Sequence, residues 1–158
     1  MTSIIVAKAV QDFYDGVLNF VGKPNRYVDE VFPKDTSGAA QVPPHVLIQT
    51  QDEGIVEWMS QLDRLEQVGV TFLVYASGKN QAKSIAAGLL YNGGNPRDRL
   101  GFDDCAALVF PTGYTLNKFE RRGPGDVKLD KQRSTAADIE YSVRLDYVVE
   151  VMVDGGLA

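Results

Sequence analysis

Hydrophobic and polar positions alternate most regularly near the end of the chain. Ile139, Tyr141, Val143, Leu145, Tyr147, Val149, Val151 and Val153 take the odd positions, and Glu140, Ser142, Arg144, Asp146 and Glu150 fall between them. Period two held from 139 to 153 predicts a long antiparallel strand with one apolar and one largely solvated face. At about 3.3 Å per residue it would span roughly 50 Å, more than the diameter of about 40 Å expected of a compact domain of this length. Such a strand is expected to bend, bulge or turn apolar surface toward a partner. At the other end of the chain the period is helical. Val6, Val10, Phe13, Tyr14, Val17 and Val21 share one face, Thr2 or Ser3 can cap its start, and "GKP" at 22–24 is the expected stop.

Between these two patterns the signals are shorter. Residues 26–32 read as a short strand, and 33–44, "PKDTSGAAQVPP", as a long loop. "HVLIQT" at 45–50 reads as a strand, and "GIVEWMS" at 54–60 as another, with a helical turn as the alternative. Val68, Val70, Phe72, Val74 and Ala76 alternate along a third, which runs through Ser77-Gly78 into a helix striped by Ala82, Ile85, Ala86, Leu89 and Leu90. Ser77 is the expected N-cap and "NGG" at 92–94 the stop. "CAALVFPTGYTL" at 105–116 reads as a strand bent at Pro111-Thr112-Gly113. The polar stretch 120–135 reads as an exposed hairpin tip or loop. The order predicts an α+β fold: a mainly antiparallel sheet with an N-terminal and a central helix packed on it, and a long C-terminal strand. Residues 1–158 form a single domain, with long loops at about 33–44, 92–104 and 120–135.

Composition narrows the chemistry. With 158 residues and 44% hydrophobic content, the chain is long enough to bury roughly 70% of its unfolded surface. Its net charge of -5 disfavours broad binding to phosphate backbones. One cysteine, Cys105, excludes an intramolecular disulfide and fits a reducing compartment. No apolar run approaches the roughly 20 residues of a membrane span, and "MTSIIVAKAV" lacks the basic start of a signal peptide.

No catalytic constellation emerges. If Gly78-Lys79 were the GK pair of a phosphate loop, Leu73 would stand where the first glycine belongs and Asn80 where the hydroxyl belongs. The corner therefore reads as a helix cap. His45 is the only histidine, expected partly exposed at a strand start, and nothing near Cys105 activates a thiol. Asp29-Glu30, Asp52-Glu53 and Asp103-Asp104 lack calcium-loop spacing and read as solvated loop residues. No metal or cofactor is expected. The segment 118–133 gathers Arg121, Arg122, Lys128, Lys131 and Arg133, but acids dilute them and only Phe119 is aromatic, so it makes no nucleic-acid platform.

Three stretches carry a family resemblance: the proline-preceded "PPHVLIQT", the strand-to-helix run "VTFLVYASGKNQAKSIAAGLL", and the late "DYVVEV". In order and texture the chain resembles the tail terminator, or tail-completion, proteins of long-tailed bacteriophages, the minor tail protein U type. The resemblance covers most of the chain. It implies a non-enzymatic virion protein, assembled in the host cytoplasm, that forms a ring, typically hexameric. The ring caps the tail tube protein and meets the head-tail connector, and DNA passes through without sequence-specific binding. It implies contact surfaces on the helix at 78–91, the long strand and the 120–135 tip, with Lys79, Lys83, Phe119, Arg121, Arg122, Lys128, Lys131, Arg133 and Arg144 as candidate contact residues. Another neck protein, for head closure or as an adaptor, is the alternative. A small-ligand or enzymatic domain using the Ser77–Lys79 corner or Cys105 is a third.

Overall fold

The computed structural model describes residues 2–28, 44–91, 108–122, 127–129 and 140–157. Two helices, α1 (Thr2–Gly16) and α2 (Lys79–Tyr91), accompany six strands: β1 (Asn25–Val28), β2 (His45–Trp58), β3 (Arg64–Ala76), β4 (Tyr114–Arg122), β5 (Val127–Leu129) and β6 (Tyr141–Val153). The strands form one mixed sheet in the order β1-β2-β3-β6-β4. Only β1–β2 is parallel. β4 and β5 follow one another along the same side of β6. The class is α+β.

The long C-terminal strand does not overhang. β2 and β3 are as long as β6, and β3 pairs with β6 from Ala76↔Tyr141 to Arg64↔Val153. With β4 and β5 opposite, β6 is an interior strand, and its apolar side is core: Val143, Leu145, Tyr147, Val149, Val151 and Val153 are at most 2% exposed. The expectation that this strand turns an apolar face outward is thus corrected. α1 lies over β2 and β3, and α2 over β3 and β6. Tyr147 links three strands beneath the helices, edge-on to Phe72 of β3 at 5.7 Å and stacked on Phe119 of β4 at 5.3 Å. Aromatic pairs in this range add about 0.5–1.5 kcal/mol beyond their burial. The Tyr147 hydroxyl is buried with no hydrogen-bond partner among the described residues, and burial raises its pKa.

Phe119, expected at a contact surface, is 0% exposed. In the pleat of β4 it faces the core opposite Val149, while charged neighbours face outward.

α1 ends earlier than its periodicity. The helix stops at Gly16, a residue that costs about 1 kcal/mol in a helix interior. The Leu18 amide then reaches back to the Phe13 carbonyl at 3.0 Å, which swings Leu18 into the core and leaves Val21 98% exposed. Lys23 satisfies the freed helix end, donating to the carbonyls of Tyr14 (3.0 Å) and Leu18 (2.7 Å). At the other end Asp52 of β2 accepts from the Ser3 amide (2.9 Å) and hydroxyl (2.8 Å). The Thr2 hydroxyl donates to Glu66 of β3.

Other boundaries shift for local reasons. Residues 45–50 and 54–58 are one strand, because register shifts between Asp52 and Gly54 and between Ile55 and Glu57 absorb the irregular segment. Gly54 takes φ +101° there, a conformation that disfavours side chains. Asp52 and Glu53 are strand residues, not loop. Pro111–Gly113 is a turn closed by the Tyr114 amide on the Pro111 carbonyl at 3.2 Å; residues 108–110 before it are not strand. β4 continues to Arg122, and β5 falls inside the stretch expected to be loop. The cap of α2 is Gly78, whose carbonyl accepts from the Ala82 amide at 3.0 Å. His45 is 1% exposed, held between Tyr27 and Tyr75 at 5.9 and 5.2 Å. Asp29-Glu30, Cys105 and Asp103-Asp104 lie outside the described residues.

Phe119→Ala is expected to cost about 3–5 kcal/mol, read from urea unfolding. Tyr147→Phe removes only the unpartnered hydroxyl, so its unfolding midpoint is expected to match or exceed that of the wild type.

Candidate functional site

The sheet face opposite the helices carries a polar groove of about 500 Å³, lined from β2, β3, β6 and β4 by Gln49, Thr50, Gln51, Glu53, Gly69, Thr71, Arg122, Arg144, Asp146 and Tyr147. Its depth comes from sequence. On this face β3 offers Gly69 and Thr71 between longer neighbours, and a Cβ at position 69 would lie 2.7 Å from Glu53 Oε1. The missing side chain lets Glu53 lean across β3 and take a two-pronged grip from Arg122, at 2.8 and 2.7 Å. Gln67 donates to the same carboxylate at 2.7 Å.

The second charge pair lies within β6. Arg144 Nε reaches Asp146 at 2.9 and 3.0 Å, and the Thr71 hydroxyl donates to Asp146 at 2.7 Å. Two arginines and two acids thus neutralise one another inside the groove. The Arg122 hydrogen bonds hold the Glu53 carboxyl below the usual carboxylate range, and the same bonds raise the guanidinium pKa of Arg122. Paired planar charges flanked by glutamine amides can hydrogen-bond a polar partner laid along the sheet. Among the described residues no group of three or more His, Cys, Asp or Glu is placed to hold a metal ion.

The contact residues expected from sequence scatter over the molecule. Arg122 and Arg144 meet in the groove. Arg121, exposed on β4, is opposite Tyr147 in register, so it lies on the other face of the sheet from the groove. Lys79 and Lys83 are exposed on successive turns of α2. Lys128 lies on β5 opposite Ser142. Phe119 is core. Lys131 and Arg133 lie outside the described residues. Sequence reading missed Glu53, Gly69 and Asp146. The spacing of Arg144 and Asp146, two apart on an alternating strand, was a usable signal. The pairing of Glu53 with Arg122 had none, since it depends on strand order.

Because the Glu53 pKa is lowered by folding, its pair stabilises the protein above the ordinary glutamate pKa of about 4.3. That contribution is lost as pH falls through the lower, folded value. Both side chains are partly exposed, at 46 and 27%, so Arg122→Gln is expected to cost only about 0.2–1 kcal/mol at pH 7. The gap to wild type should close as urea titrations are taken down through the carboxylate range. No protein-family model matches the chain, and no curated protein matches it significantly.

Proposed function

We propose that the chain is a structural subunit of the neck of a long-tailed bacteriophage. It acts as a tail terminator whose copies close into a ring, cap the tail tube and join it to the head. Three features support this reading. The stretches that carry the resemblance occupy connected parts of one unit: "HVLIQT" opens β2, the strand-to-helix run is the second half of β3 with α2, and "DYVVEV" is the middle of β6. A mainly antiparallel sheet with both helices on one face fits that layout.

The observation that carries the reading is where interaction capacity remains. The groove's charges are spent on one another, but among the described residues both lateral sides of the sheet keep unpaired strand backbone. Among the described residues no strand pairs with β2 beyond Ile48, or with the outer side of β4. Open edges invite strand or surface contacts from another chain, and two unlike edges on one subunit suit the head-to-tail contacts of a ring. The net charge of -5 limits sticking of DNA in a lumen.

Purified protein mixed with phage tail tubes is expected to appear by electron microscopy as a single cap at one tube end. Its free assembly should have a mass near six times 17.3 kDa. Binding to isolated heads and not to tubes would move the assignment to a head-closure or adaptor protein. Binding to neither would overturn the neck role.

A further inference from the structure

Apolar side chains left on the surface are concentrated at one end of the sheet. The last rung there runs Trp58, Arg64, Val153 and Tyr114 across β2, β3, β6 and β4. Beyond it, the turn at 59–63 and the C-terminal turn at 154–157 touch, so closely that a side chain at Gly155 would strike Leu62. Trp58, Met59, Leu62 and Leu157 are 57, 55, 59 and 63% exposed, and Ile55 and Val56 are half-exposed beside them. These are six of the nine exposed large hydrophobic residues among the described ones. Clustered apolar surface with a polar rim marks a protein contact, and a half-exposed tryptophan beside leucine and methionine is a typical anchor of one.

The rim is acidic. Glu57, Asp63 and Asp154 surround the patch. Arg64, the cation of this end, is bonded to Glu66 at 3.0 Å and lies over one side of the Trp58 ring at 6.0 Å, so an incoming cation meets the acidic rim and the exposed apolar side chains. Glu57 has no ion pair among the described residues.

Among the described residues, the exposed charges of α2 at the opposite end of the sheet are basic. α2 begins there, just past Ala76 at the rung Ala76↔Tyr141, and packs beside β5. It contains no acid, and Lys79 and Lys83 are exposed one turn apart. Lysine stems can lie on apolar surface while their ammonium groups sit over an indole ring or pair with an acid rim. The two ends are roughly 40 Å apart along the strands, so they cannot meet within one molecule.

We propose that the apolar, acid-rimmed end of the β2–β3 hairpin docks on the basic α2–β5 end of a second copy of this chain. Such a contact is heterologous, so it propagates from copy to copy and closes a ring where the rotation permits. It deepens the ring-forming reading by naming the two surfaces that meet.

Two variants test it: Trp58→Ser with Leu62→Ser, and Lys79→Glu with Lys83→Glu. All four side chains are exposed, so both proteins are expected to keep the wild-type circular dichroism spectrum and a cooperative melt. In sedimentation velocity across a concentration series the wild type is expected to form oligomers larger than a dimer, weakened by salt. Each variant alone should be monomeric, its association weakened by roughly 30-fold or more. An equimolar mixture should stop at a heterodimer, since only one good end and one good face remain. A lysine variant that still dimerises would mean that the patch meets its own copy, and would overturn the proposal. So would a variant that assembles like wild type, a mixture that stays monomeric, or a wild type monomeric at every concentration. A wild type that assembles as expected but ignores tail tubes and heads would keep this interface and remove the neck role.

Discussion

β6 must satisfy two neighbours and a core at once. Its backbone bonds to β3 along its whole length and to β4 and β5 on the other side, while its alternate side chains fill the space beneath the helices. A slip of one residue would exchange Val149 for Glu150 and Tyr147 for Asp146 in that space. The core therefore fixes the register, and the register fixes what faces outward. Arg144 and Asp146 reach the open face because Val143, Leu145 and Tyr147 cannot. The same pairing sets Arg122 beside Asp146 and, through β3, brings Glu53 within its reach.

Where the apolar rhythm alone decides the outcome, the sequence reads correctly. The β6 alternation and the α2 stripe of Ala82, Ile85, Ala86 and Leu89 are visible because each presents one face to one core. The errors lie where a distant segment intervenes. Phe119 sits between Lys118 and Glu120 and looks like a surface residue; only the Phe72–Tyr147–Phe119 stack shows what receives it. Asp52-Glu53-Gly54 has the composition of a turn, yet pairing with β3 carries β2 through it by bulges. Val17 and Val21 extend the helical pattern of α1 on paper, but Gly16 and the Lys23 ammonium end the helix first. His45 opens a strand after two prolines and is enclosed by tyrosines from β1 and β3.

The chemistry divides in a similar way. In the groove, charges close on charges of the same chain, which leaves that face polar and electrically quiet. At the hairpin end Trp58, with Arg64 over one side of its ring, stays more than half exposed, as do Met59, Leu62 and Leu157.

The central place of β6 also bears on how the chain reaches its fold. β6 pairs with β3 over separations from Ala76↔Tyr141 to Arg64↔Val153, so the pairing that completes the core comes late in sequence as well as being nonlocal. Local contacts, the β2–β3 hairpin and α2 against β3, can form first. Until β6 arrives, the edge of β3 it will cover lies open beside Val68, Val70, Phe72 and Val74. During synthesis the nascent chain therefore carries a bare, valine-rich strand edge from the emergence of β3 until that of β6. In that interval misassociation competes with folding.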